Sequence, residues 1–323
     1  MPSDSAAPTV PDIHRLAAID LGSNTVRLLV VEVPAAGPRR ALYETQAITR
    51  LGEGLAATGR LSEAAMARTI AAVGDFCRSA EARGAREILI VATSAVREAL
   101  NREEFLDRVA RAVGRAVEVV TGEEEARLAL LGVLEGLPGL AGTFVVFDIG
   151  GGSTEFILAR ERRVAAAVSL PLGVVPLAER YMTDGPVDWS RYADMEREIR
   201  SGLTTGLAAF AAGSPPDRLV GTAGTVTTLA ALDRELPAYD PARVQGYVLE
   251  RPRIERLLKR LGALPAAARA KLPCLEPGRA DLIIPGIAIC LAVMDRFGAS
   301  AVSVSDSGLR EGILIQHLSR PAP

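Results

Sequence analysis

The sequence predicts an α/β chain of two similar halves turned toward a shared cleft, and three observations lead there. A strand, an Asp-plus-Gly turn and a second strand occur twice. Residues 16–20 run through Leu21-Gly22-Ser23-Asn24-Thr25 into 26–33, and residues 145–148 run through Ile149-Gly150-Gly151-Gly152-Ser153 into 154–158. The aspartates of the two units, Asp20 and Asp148, stand 128 positions apart, which reads as two halves of one design. Strand-length apolar runs alternate with segments of helical periodicity along most of the chain. At 323 residues the chain is also long for one core, so two domains are expected.

In the first half, residues 41–51 read as a third strand and Gly52-Glu53-Gly54 as a loop. From Ser62 onward Met66, Ile70, Val73 and Cys77 recur at helical spacing, giving an amphipathic helix that ends near Gly84. Residues 87–92 make a buried strand leading to Thr93-Ser94-Ala95-Val96-Arg97-Glu98, and Asn101 with Glu104 makes a capping box for a helix reaching Val113. After a strand at 117–121, Gly122-Glu123-Glu124-Glu125 opens a helix to about Glu135. Its body, 128–134, is apolar nearly all round and is expected to be buried between the halves. The domain change is placed near Glu123, with 1–123 and 306–323 in one domain and 124–305 in the other.

In the second half, residues 163–170 read as a third strand, 189–211 as a long helix, and 218–221 as a strand entering Gly221-Thr222-Ala223-Gly224-Thr225. That third Gly and Thr turn precedes a helix, with Thr225 as its cap. Residues 251–262 and 265–272 read as short helices, with Arg269 and Lys271 as a basic rim. Residues 279–297 form an apolar helix in which Pro285 marks a start or a kink. A strand at 301–306 and a helix at 309–318 close the chain.

Composition excludes several function classes. With 37 basic and 39 acidic residues the net charge is −2, which argues against a nucleic-acid partner held by bulk charge. The only lysines, Lys259 and Lys271, lie outside any GxxxxGK[ST] context, so no P-loop is present. Cys77, Cys274 and Cys290 are scattered and odd in number, without disulfide or zinc spacing, and suit buried thiols of a reducing compartment. His14 and His317 lie near opposite ends, leaving no histidine cluster and no Ser/His/Asp triad. Hydrolytic chemistry must then rest on carboxylates and arginines. The first dozen residues read as a disordered tail without a signal-peptide pattern, and the longest apolar stretch, 282–293, is too short for a bilayer. A soluble cytoplasmic protein without a membrane partner is expected.

The turns carry the chemistry. Without a Cβ at Gly150, Gly151 and Gly152, backbone amides can point into one concavity and hold anionic oxygens, with Ser153 and Thr154 adding hydroxyls. Gly22, Ser23 and Asn24 repeat this in the first half, and Gly224 with Thr225 offers amides at a helix start. Asp148, Glu155 and Asp20 flank the turns and suit Mg²⁺, or Mn²⁺, which takes one or two carboxylates plus water and phosphate. Arg97, one helical turn past a strand end, can clamp a phosphate. Glu125 is carried toward the buried helix body, where a raised pKa suits a general base.

In chain order the segments AIDLGSNTVRLLV, LGEGL, VATSAVREALN, TGEEEARL, VVFDIGGGSTEFIL, GTAGTVTTLAAL, PGIAI and SDSGLREGIL resemble the exopolyphosphatase / guanosine pentaphosphate phosphatase family. The resemblance runs nearly end to end, and DIGGGSTE with GEEEARL upstream is its most specific part. It implies two actin-like (ribonuclease H-like) domains of the actin, sugar-kinase and Hsp70 superfamily with an interdomain cleft. It also implies Mg²⁺-dependent hydrolysis of a terminal phosphoanhydride. Glu125 then matches the general base, Arg97 the phosphate-clamping arginine, Asp148 and Glu155 the Mg²⁺-linked carboxylates, and Ser153 with the glycines the phosphate loop. Inorganic polyphosphate or guanosine pentaphosphate is the implied substrate, and a homodimer the implied assembly. The C-terminal helical and HD-type domains of longer members are expected to be missing, which leaves a preference for short chains open. A phosphotransferase of the same fold and a non-catalytic alarmone-binding module are the rival readings.

Overall fold

A computed structural model describes residues 14–34, 37–211 and 215–320, so the N-terminal tail lies outside the described residues. The first domain holds β1 (His14–Leu21), β2 (Thr25–Val33), β3 (Arg40–Ile48), β4 (Glu87–Ala92) and β5 (Glu118–Val119), with helices α1 (Leu55–Thr58), α2 (Glu63–Glu81), α3 (Ser94–Glu98) and α4 (Arg102–Val113). Helix α5 (Gly122–Gly136) leads to β6 (Thr143–Ile149), β7 (Thr154–Arg160) and β8 (Arg163–Leu170). Then come α6 (Val174–Tyr181), α7 (Trp189–Gly206), β9 (Arg218–Thr222), α8 (Ala223–Asp233), α9 (Pro241–Val244), β10 (Val248–Glu250) and α10 (Arg251–Gly262). Finally α11 (Ala266–Arg269), α12 (Ile283–Phe297), β11 (Ala301–Val304) and α13 (Leu309–Ser319) complete the chain.

Both sheets are mixed, and their topologies match. The first has the order β3-β2-β1-β4-β5, the second β10-β11-β9-β6-β7-β8. In each, three strands form an antiparallel meander and later strands join the first in parallel. Without β10, the second order is the first repeated, so the duplication read from the two Asp-Gly turns extends to the strand order of each half. Alternate strand residues supply opposite faces. Ala17, Ile19 and Leu21 pack with Met66, Val73 and Phe105, while Leu16 and Ala18 pack with Leu309, Ile313 and Leu314 of α13. Val145 and Phe147 face the large core under α12, and Phe144 and Val146 face α5.

The α5 and α13 helices cross at backbone contact. A Cβ on Gly132 would lie 2.0 Å from Gly308 O, and one on Gly312 would lie 1.8 Å from Leu128 O. Both positions therefore require glycine for close approach rather than for an unusual φ. His14 and His317, from opposite ends of the sequence, meet on Glu87, with Nε2 to carboxylate oxygens at 3.0 and 2.9 Å.

Several local expectations are corrected. Asn101 does not cap α4; its amide clasps the Leu61 backbone, donating to the carbonyl at 3.0 Å and accepting from the N–H at 2.9 Å. Thr225 is not the cap of α8, which starts at Ala223 behind Thr222. Arg269 is buried, 1 % exposed, and is no surface rim. The helix expected from residue 279 begins at Ile283, after a short turn at Pro277–Arg279, and Pro285 sits in its first turn, where a missing N–H is tolerated. Cys77 and Cys290 are buried free thiols, and Cys274 is half-buried. No described helix is long and apolar enough to cross a membrane.

The crossing gives a direct test. Gly312→Ala should destabilise the protein by about 1–3 kcal/mol through overpacking against backbone. Gly202→Ala, in open space on α7, should be neutral or slightly stabilising. Urea unfolding compares the two, and equal midpoints would mean that the helices are not in backbone contact.

Candidate active site

The two turns are built alike. Gly22 N donates to Thr25 O at 3.1 Å, and Gly150 N to Ser153 O at 2.9 Å. A Cβ on either glycine would sit 3.0 Å from that same carbonyl. The tips then meet across the interdomain cleft. A Cβ on Gly151 would be 2.9 Å from Ser23 Cβ and 3.0 Å from Asn24 N, and one on Gly152 2.6 Å from Ser94 Oγ. The glycines are thus set by the approach of one half to the other as much as by any ligand.

Symmetry breaks one strand over. Asp20 is paired in register with Arg27, whereas Asp148 is paired with Glu155. Arg27 and Glu155 are themselves 128 positions apart, so the duplicated position carries a cation in one half and an anion in the other. The consequence is electrostatic. Burial raises Asp20 to about 6 while Arg27 and Arg310 hold it down. Burial raises Asp148 to about 7, and Glu155 pushes the same way.

Glu125 stands in the first turn of α5, behind Thr121, whose hydroxyl accepts Glu124 N at 3.1 Å. It is buried, and its Oε2 accepts from Arg97 Nη1 at 3.0 Å while the same nitrogen donates to Val120 O at 3.0 Å. Burial first, then Glu155, pushes the Glu125 carboxyl well above the usual range, and Arg97 opposes them. Glu155 is also raised, mainly by burial, although Ser153 Oγ and Ser169 Oγ both donate to its Oε1 at 2.7 Å.

Most predicted residues converge. Asp20, Gly22, Ser23, Asn24, Glu125, Asp148, Gly150, Gly151, Gly152, Ser153, Gly224 and Thr225 all line one cleft. Three residues do not line it. Thr154 is fully buried and its hydroxyl donates to Leu172 O, which corrects its assignment to phosphate binding. Glu155 sits behind Asp148, held by the two serines, and Arg97 reaches the site through Glu125. Sequence reading missed Arg27, Arg279, Arg310 and Glu311, which also line the cleft. A Cβ on Gly224 would lie 1.6 Å from Arg279 Nη1 and 2.6 Å from Arg27 Nη2, so two guanidiniums converge over the third turn. Arg27 was findable by aligning the halves; Arg279 lies in an irregular turn without periodic signal.

The donor set fits a small hard cation. Asp20 Oδ1 is buried without a hydrogen-bond partner among the described residues, and the raised carboxylates need positive charge to ionise together. No group of three His, Cys, Asp or Glu among the described residues forms a ready-made cage.

Comparison with known proteins agrees with this architecture. The Ppx/GppA phosphatase family matches residues 29–321. Exopolyphosphatase 2 of Mycobacterium tuberculosis is 35% identical, covering 94% of this chain and 98% of its own. Exopolyphosphatase 1 of Mycobacterium leprae is 31% identical, covering 95% and 91%. Among solved structures, the Aquifex aeolicus member of the Ppx/GppA family is 36% identical, with a TM-score of 0.79 over 95% of this chain and 98% of that one. An exopolyphosphatase from Cytophaga hutchinsonii, 28% identical, has a TM-score of 0.87 over 94% and 98%. On this agreement of sequence, fold and cleft, the chain belongs to the Ppx/GppA phosphatase family and is a phosphoanhydride hydrolase.

Proposed function

We propose that the protein is an exopolyphosphatase that removes the terminal phosphate of inorganic polyphosphate. The observation that carries this is a buried glutamate, Glu125, ion-paired to Arg97 and lining the same cleft as the Gly150–Gly152 turn and Asp148. The terminal phosphoryl group lies against the turn, where backbone amides and the Arg27 and Arg279 guanidiniums offset its charge. Glu125, with its proton affinity raised by burial, accepts a proton from the attacking water. Arg97 fixes that carboxylate and stabilises its ionised form. Asp148 and Asp20 would hold Mg²⁺, with Glu155 behind Asp148; when bound, the ion supplies charge neutralisation for the phosphate oxygens. The two serines on Glu155 keep it oriented toward that role.

Phosphate release from short polyphosphate, long polyphosphate, guanosine pentaphosphate and ATP, with and without Mg²⁺, tests the reading. Polyphosphate should be the best substrate, and only with Mg²⁺; preference for guanosine pentaphosphate, or ATP synthesis from ADP, would replace it with another. Glu125→Gln should cut turnover by roughly 10²-fold or more with substrate binding retained. Unchanged turnover would remove Glu125 from the mechanism.

A stability measurement reads the acid cluster without catalysis. Asp148 is raised from 3.8 to about 7, so between those values the folded protein keeps a proton that the unfolded chain has lost. Metal-free stability must then fall as pH rises across that window. Asp148→Asn should flatten the fall in melting temperature and melt higher than the parent at about pH 8 in chelator. An unchanged pH profile would show that Asp148 is not crowded.

A further inference from the structure

Arg279 belongs to the second domain but is held in place by the first. Its Nε donates to Glu276 Oε2 at 2.9 Å within its own turn, and its Nη2 donates to Gln46 Oε1 on β3 at 3.2 Å. Gln46 Nε2 in turn donates to Glu276 Oε1 at 2.5 Å. One residue on each side of the turn is seated as well. Gly278 is pressed against Ile48, where a Cβ would lie 2.7 Å from Cδ1, so no side chain separates the turn from β3. Just past β3, Arg50 donates Nη2 to Gly278 O at 3.2 Å and pairs with Asp281 Oδ1 at 3.0 Å. Apart from the Arg279–Glu276 bond, these contacts cross from one domain to the other, and they bracket Arg279.

They also oppose a repulsion. Arg27 from the first domain and Arg279 from the second converge on Gly224, and two guanidiniums brought together without an anion push the domains apart. With a phosphate between them, both attract it.

We propose that the outer edge of β3 with Arg50 is a latch: Arg279 takes its anion-binding position only while residues 276–281 are docked on the first domain. Gln46, Arg50 and Asp281 are then positioning residues that act on substrate through Arg279. The identity of that substrate rests on the exopolyphosphatase reading; the latch itself does not. Because Arg50 and Asp281 are both about one-third exposed, replacing them should not unfold the protein.

The test combines kinetics on short polyphosphate with small-angle scattering of the parent and variant proteins. Arg50→Ala and Asp281→Asn should each raise KM about 3–10-fold, with a smaller effect on kcat and a larger radius of gyration. Arg50→Lys should recover part of the loss, since its shorter side chain keeps a positive charge opposite Asp281 without the guanidinium's reach and planar geometry. In an Arg279→Ala background Arg50→Ala should raise KM no further, the non-additivity expected of residues acting through one group. An equal rise in that background, or an unchanged KM and radius in Arg50→Ala, would overturn the latch. A parent protein that releases no phosphate would instead overturn the substrate reading, and the scattering would still decide the latch.

Discussion

The rest of the site follows from too many carboxylates in too little water. Asp148 faces Glu155 across a strand pair, and Glu125 feels the charge of both. Left alone, such a group neutralises by taking up protons. The surroundings supply partial remedies instead: Arg97 on Glu125, two serine hydroxyls on one oxygen of Glu155, and Arg27 beside Asp20. None of these removes the deficit at Asp148. On the proposed reading a divalent ion with a phosphate chain would, and the stored repulsion would become selectivity for such a pair.

Duplication explains how the chain arrives at this state. Two copies of one strand-turn-strand unit bring two aspartates to one cleft, and among the positions where they diverge, Arg27 in one copy and Glu155 in the other reverse the charge beside the aspartate. In the half with the arginine, burial raises the aspartate and the guanidinium opposes that rise. The half with the glutamate adds a second push upward to an aspartate that burial already raises. Glycine then does different work in different places: at Gly151 and Gly152 it lets the halves touch, and at Gly132 and Gly312 it lets α5 and α13 cross at backbone distance.

What could be read from the sequence was what leaves a period or a repeat. The amphipathic α2, the bounds of α10 and the paired hairpins were all legible, because burial imposes alternation on strands and a 3.6-residue period on helices. That the turn residues and Glu125 line one cleft was legible because Gly-rich bends flanked by carboxylates, and a glutamate carried toward an apolar helix body, stand out in the sequence. Tertiary competition was not. Asn101 looks like a cap, yet a loop backbone at Leu61 takes both ends of its amide. Arg269 looks like surface, yet the chain folds over it. Thr154 sits in the motif but one strand position from the cleft, with its hydroxyl spent on Leu172. Arg279 had no periodic signal because it lies in an irregular turn, and its position depends on Gln46, more than 200 residues earlier.

The central claim is that the acid cluster and the Gly150–Gly152 turn together receive one cation and the end of one phosphate chain. The most direct measurement is a crystal structure of Glu125→Gln soaked with Mn²⁺ and tripolyphosphate, with anomalous data locating the metal. The account predicts an anomalous peak bound by Asp148 or Asp20, with the terminal phosphate on the turn and the residue-125 side chain facing its attack side. A metal bound elsewhere, or a terminal phosphate lying away from both the turn and residue 125, would contradict it.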